Sequence, residues 1–213
     1  MLKFRDKKKN RFPTFSLIIW IVTLAVMVSS YFFYQKGFLN ETFAIKPNEI
    51  ISQIKSQWLY LLKLLSSLFV HGSWKHWFGN MILFLIIAFP LEKRIGGFWF
   101  LLIYFTAGFA GNLYCIYYLS GSENYLIGAS GAVSGILGAW IVLFPSLKIS
   151  IIIPIGFYMQ KAEIPVLLLS LIWLGIQIVL QLVSPLDYSI VWISHVVGFI
   201  TGFSLAWLYR IAN

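Results

Sequence analysis

Ser130 and three histidines are the side chains of this 213-residue chain whose types and spacing are best suited to chemistry. Ser130 sits in a run of small residues, Gly128-Ala129-Ser130-Gly131-Ala132-Val133-Ser134-Gly135-Ile136-Leu137-Gly138, at the head of an apolar segment that continues to Phe144. His71 and His76 stand at the entrance to a second apolar segment, with Asn80 one turn beyond His76, and His195 lies inside a third. A serine hydroxyl is a poor nucleophile until a hydrogen-bonded imidazole accepts its proton. Ser130 and His195 supply that pair. His76 and Asn80, at i and i+4, share a helix face and can donate hydrogen bonds to a developing oxyanion. Asp187 is eight residues before His195, more than two helical turns away, so the expected arrangement is a dyad without a carboxylate. No metal or other cofactor is expected: H-E-x-x-H is absent, and no Cys or carboxylate sits near the histidines.

The elements that must position these groups are apolar. The chain is 60% hydrophobic and 11% charged, with a mean hydropathy of +0.84, which excludes an ordinary soluble globule. Aromatic residues make up 18%, nine of them Trp, a composition suited to two membrane–water interfaces. The lone Cys115 excludes an intramolecular disulfide and reads as a packed thiol. Net charge is +9, and six of the basic residues fall in the first eleven positions. A basic flank before an apolar segment signals a cytoplasmic end attracted to anionic lipid, not a nucleic-acid site. Residues 1–14 therefore read as a basic cytoplasmic tail, and residues 15–213 as one membrane domain. The first apolar run is about 18 residues, too long for a signal-peptide core, and reads as a span.

Six spans are expected, at about Phe15–Tyr34, Ser73–Phe89, Phe98–Leu119, Ser130–Phe144, Ile164–Val183 and Ile190–Ile211. The fold class is an all-α membrane protein, a bundle of six transmembrane helices with a long interfacial first loop. In that loop, Trp58 to Leu65 predicts an amphipathic helix with Lys55 and Lys63 on its polar side. The apolar piece Ile149–Met159, broken by Pro154 and Gly156, reads as interfacial. Eleven Lys and Arg lie on the side of the N-terminus and five on the other, which places both termini in the cytoplasm.

Depth connects the spans to the chemistry. Ser130 is 15 residues above Pro145, His76 is 14 above Pro90, and His195 is 15 above Arg210. At helical rise each stands about 21–22 Å above the inner boundary, in one plane of the outer half of the membrane. Gly131, Gly135 and Gly138 form one stripe below Ser130, and Gly198 and Gly202 form another below His195. Packing the two stripes together brings the backbones close and turns the serine and the histidine toward each other.

His71-x4-His76-x3-Asn80, Glu92-x-Arg94-x-Gly96, Gly128-x-Ser130-Gly131 and His195-x2-Gly198-x3-Gly202, in this order and on these spans, resemble the rhomboid family of intramembrane serine proteases. The match runs from about Leu64 to Gly202. The resemblance implies Ser130 as nucleophile and His195 as general base, with His76, Asn80 and the Ser130 backbone N–H as oxyanion hole. It implies that His71 supports the first loop and that Glu92 and Arg94 are structural. Substrates would be transmembrane helices that unwind near the outer face of the cell (plasma) membrane, with a small residue before the cut. Ser134 departs from the pattern, standing where many relatives carry a Tyr or Phe that stacks on the histidine.

Singly, these groups have plainer readings: Ser130 as helix-packing glue, His71 and His76 as interface residues capping a span, and Glu92 with Arg94 as an end-anchor. Gln177 and Gln181, at i and i+4, read as hydrogen-bonding to neighbouring helices, and the resemblance adds substrate access beside that span. A catalytically silent rhomboid-like protein that binds transmembrane clients is the alternative. Relatives of that kind usually lack the serine or the histidine, and this chain has both. A membrane metal or haem protein using the three histidines is the other class, disfavoured by the missing ligand patterns. The expected partners are transmembrane protein substrates and membrane lipids, with no nucleic acid; nothing in the sequence fixes the oligomeric state.

Overall fold

A computed structural model describes residues 12–32, 36–50, 58–155, 158–183 and 192–212, and these are mostly helical. In chain order they form α1 (Thr14–Phe32), α2 (Lys36–Phe43), a helical stretch made of a 3₁₀ turn (Trp58–Leu62), α3 (Lys63–Ser66) and a second 3₁₀ turn (Ser67–Phe69), then α4 (Trp74–Ile95), α5 (Gly97–Tyr118) and α6 (Ser130–Leu143). A hairpin of β1 (Lys148–Ile155) and β2 (Tyr158–Pro165) precedes α7 (Val166–Val183) and α8 (Trp192–Ala212). Among the described residues three helices, α1, α5 and α8, are long and apolar enough to cross a membrane; α6 and the first part of α7 are shorter apolar helices.

The short helix α6 is the axis of the bundle. Residues Gly131 to Trp140 are all buried, as are Val142 and Leu143. It packs against α8 above all, and also against α4, α5 and α7. Small residues make this possible: a Cβ built on Gly198 would overlap the Gly131 carbonyl, and one on Gly202 the Gly135 carbonyl. Further down, Arg210 Nη1 donates to the Val142 carbonyl at 3.0 Å. The partners are 67 or 68 positions apart from top to bottom, so α6 and α8 run parallel and in register.

Helix α4 differs from expectation. Pro90 does not end it; the helix continues to Ile95. Proline removes one backbone donor, but Arg94 ties the last turn together, its Nη1 donating to the Pro90 carbonyl at 3.0 Å and its guanidinium lying over the Trp140 and Phe144 rings. Glu92, two residues earlier, reaches α1. Its carboxylate accepts from the Phe15 N–H (3.0 Å), the Ser16 N–H (2.8 Å) and the Ser16 hydroxyl (2.6 Å), so it caps the N-terminus of a neighbouring helix. Both residues are thus structural, as the resemblance implied. Charged hydrogen bonds to buried donors contribute about 1.5–3 kcal/mol each. Glu92→Ala should therefore lower the stability of the detergent-solubilised protein by about 2–3 kcal/mol, read as an earlier thermal unfolding transition.

The segment expected as an interfacial piece is a β-hairpin, a departure from an all-α fold, with Lys148 opposite Pro165 and Ile155 opposite Tyr158. Ile152, Tyr158 and Met159 are exposed on it. In the first loop, Trp58 to Leu65 is helical but irregular, changing between 3₁₀ and α geometry. Leu64 and Leu68 are buried there, whereas Leu61 and Leu62 are exposed. Asn112 of α5 grips the stretch through its Nδ2, which donates to the Leu64 carbonyl (2.8 Å) and the Ser67 hydroxyl (3.0 Å). The basic tail up to Arg11, Lys55 and Asp187 lie outside the described residues.

Candidate active site

Ser130 is the first residue of α6, delivered by a backbone that only glycine suits. Gly128 has a φ of +112°, and its N–H donates to the Ser67 carbonyl at 3.0 Å. A Cβ there would come within 2.7 Å of His76 Cε1 and 2.8 Å of its Nε2. The missing side chain at Gly128 is therefore the space into which the His76 ring projects from α4. Asn80 Nδ2 lies 3.6 Å from that same point, buried and without a hydrogen-bond partner among the described residues. A buried amide donor with nothing to donate to is costly and calls for an acceptor that arrives later.

His76 is held in the first turn of α4, where its N–H donates to the Ser73 hydroxyl at 3.2 Å in a helix cap. His71, buried just before this helix, meets the His76 ring edge-on with centroids 5.1 Å apart. Burial, and then the neighbouring His76, push the His71 pKa down to about 3, so at neutral pH the two rings adjoin without charge repulsion.

His195, almost fully buried, projects from the first turn of α8. It borders the same cavity as Ser130. That cavity has a volume of about 40 Å³ and is lined by His76, Gly128, Ser130, Gly131, Ser194 and His195, with Asn112, Cys115, Leu126 and Ile127 completing its wall. At about 10–15 Å³ per water centre it has room for a few water molecules. Among the described lining residues there is no carboxylate.

Most of the residues expected at the site are brought together. Ser130, His76 and His195 share the cavity with Gly128 and Gly131, while Asn80 and His71 stand behind His76. The expected common depth rested partly on Pro90 as a helix end. With α4 running to Ile95, the equal spacing no longer holds for His76. What brings the three groups to one cavity is the tertiary packing around Gly128 and along the α6–α8 glycines.

Sequence reasoning missed how α7 joins the site. Ser170, Trp173 and Gln177 lie on its inner face at helical spacing. The Ser170 hydroxyl donates to the Leu137 carbonyl at 3.4 Å, and Trp173 Nε1 donates to Ser134 Oγ at 3.1 Å. Gln177 Oε1 is 2.6 Å from His195 Nδ1. The Trp173 ring also flanks His195, with centroids 6.3 Å apart and a 33° interplanar angle. Ser134, standing where an aromatic was expected, thus holds an aromatic supplied by another helix. Gln177 hydrogen-bonds to a neighbouring helix as expected, and its partner there is His195; what carried no local signal is the part played by Ser170 and Trp173 on the same face. The Gln181 side chain lies outside the described residues.

The family model of the Rhomboid domain matches residues 58–212. The chain is similar to RHOMBOID-like protein 4 of Arabidopsis thaliana, 30% identical over 149 residues, which is 70% of this chain and 34% of that protein. It is similar also to RHOMBOID-like protein 6, mitochondrial, of the same plant, 27% identical over 146 residues, covering 68% of this chain and 43% of the relative. With RHOMBOID-like protein 5 it shares 35% identity over 77 residues, 36% of this chain and 25% of the relative. The chain spans less than half the length of each of these relatives.

Proposed function

Because this chain belongs to the rhomboid family, we propose that it is an intramembrane serine protease acting through a Ser130–His195 dyad. Ser130 Oγ attacks the scissile carbonyl of a transmembrane protein and His195 Nε2 takes its proton. The imidazolium then protonates the leaving amine, and the acyl-enzyme is hydrolysed by water. The oxyanion is stabilised by Asn80 Nδ2, the His76 ring and the Ser130 backbone N–H. One observation carries the reading: Ser130, His76 and His195, from three separate helices, line one cavity with room for a few water molecules and no carboxylate among its described lining residues.

Six spans, α1 and α4 to α8, cross the plasma membrane with both termini cytoplasmic, and the first loop lies in the outer interface. The distribution of Lys and Arg supports this orientation. The site then opens toward the outer face, where water for deacylation is available.

A mechanism-based fluorophosphonate separates this reading from a non-proteolytic client binder. The wild-type protein in detergent or vesicles should be labelled covalently, and Ser130→Ala should not. An unlabelled wild type would favour the binder. Asn80→Ala should keep partial activity, with a loss of about 10²–10³-fold in kcat, the usual cost of one oxyanion donor. A cleavage assay under saturating substrate measures it, and an unchanged kcat would remove Asn80 from the hole.

A further inference from the structure

The general base of a serine protease must present one particular nitrogen. If the proton of neutral His195 sits on Nε2, the nitrogen needed to receive the Ser130 proton is blocked; if it sits on Nδ1, Nε2 is free. Triads solve this with a buried carboxylate. Here the described residues lining the cavity include none, and the atom beside Nδ1 is the amide oxygen of Gln177 at 2.6 Å, both side chains being buried. A carbonyl oxygen can only accept, so Nδ1 must carry the hydrogen in this arrangement.

We propose that Gln177 is a positioning residue for His195: its Oε1 accepts the Nδ1–H, fixes the tautomer that leaves Nε2 free toward Ser130, and holds the ring as the positive charge develops. The proposal rests on the protease reading given above. During acylation the Ser130 proton moves to Nε2, and the Nδ1–H stays donated to Gln177. That hydrogen bond becomes charge-assisted and therefore stronger once the ring is cationic.

The rest of α7 holds Gln177 in place. Leu171, Ile172, Ile176, Ile178 and Val179 are exposed on its outer side, so its inner face alone docks it to the bundle. On that face Ser170 binds the Leu137 carbonyl and Trp173 binds Ser134 one turn before Gln177 reaches His195. Burying a glutamine in an apolar helix is unfavourable unless its amide finds partners, and His195 supplies one for its oxygen. Ser134 and Trp173 thus set the height at which the amide oxygen meets the ring. The opposite orientation of the amide, with its NH₂ toward Nδ1, would move the imidazole proton to Nε2 and abolish the base.

Kinetics on the full-length protein in vesicles provide the test, using a fluorogenic transmembrane peptide. Gln177→Leu, which removes the acceptor, should lower kcat about 10–100-fold, as loss of an imidazole's supporting partner typically does, and leave KM unchanged. Gln177→Glu should restore the rate and move the acid limb of the pH–rate profile upward. A carboxylate at that atom favours the cationic ring, so a higher pH is needed to generate the neutral base. The other titratable groups facing the cavity, His76 from α4 and Cys115 from α5, are the same in all three proteins. A Gln177→Leu enzyme with wild-type kcat would overturn the proposal, and so would a Gln177→Glu enzyme whose acid limb does not move. Fluorophosphonate labelling keeps the two levels apart: absence of Ser130-dependent labelling in the wild type defeats the protease reading itself, whereas normal wild-type labelling with an unaltered rate in Gln177→Leu defeats only the role of Gln177.

Discussion

Ser130→Ala and His195→Ala are each expected to reduce cleavage of a reconstituted transmembrane substrate by about 10⁴–10⁶-fold, and the double variant is expected to be no worse than either single one. Nucleophile and base act as a unit, so removing either forfeits the same step and the losses do not add. Neither change should disturb the fold. Ser130 opens α6 half-buried, and no side-chain hydrogen bond fixes the start of that helix. Among the described residues His195 has one side-chain hydrogen-bond partner, Gln177, whose amide would be left facing a cavity with room for water. Unchanged circular dichroism and a thermal transition within a few degrees of wild type, together with abolished turnover, is the required pattern. Appreciable turnover in either variant would contradict the dyad.

The groups legible in the sequence were those with local signals. Ser130 stands out because small residues surround it, and Gly198 and Gly202 because a four-residue spacing of glycines below a buried histidine has few uses other than close helix approach. The groups that escaped are defined by tertiary partners. Trp173 and Ser134 are 39 residues apart and Gln177 and His195 are 18 apart, on different helices, and no spacing rule links them. Pro90 carries a local signal for a helix end, while the compensation comes from Arg94 one turn later and from the rings of Trp140 in α6 and Phe144 just after it. The hairpin is a different kind of miss. Lys148 to Ile155 holds five isoleucines, and such β-branched density favours a strand, but the apolar character of the segment drew attention to the membrane interface instead.

Gly198→Leu is expected to cost as much activity as loss of a catalytic group, by a different route. Even the first added carbon would overlap the carbonyl of Gly131, which is backbone and cannot rotate away. The only relief is to move α8 off α6. Gly202 against Gly135 and Gly138 against Phe199 are equally tight, so the helices cannot slide to a new register without meeting another clash. Separation by even about 1 Å would take His195 out of reach of Ser130, and misplacement on that scale alone can cost about 100-fold in rate. A whole leucine forces a larger shift, and turnover should fall below detection, with Gly198→Ala intermediate. Overpacking of this kind also destabilises by about 1–3 kcal/mol or more, so both variants should unfold earlier than wild type. Gly175 on α7 provides the contrast. A Cβ there meets nothing within 4 Å, and exchanging glycine for alanine in a helix is favourable by about 1 kcal/mol. Gly175→Ala should therefore retain full turnover and unfold no earlier than wild type. If Gly198→Leu were as active as Gly175→Ala, the close approach of α6 and α8 could not be what brings the hydroxyl and the imidazole to one cavity.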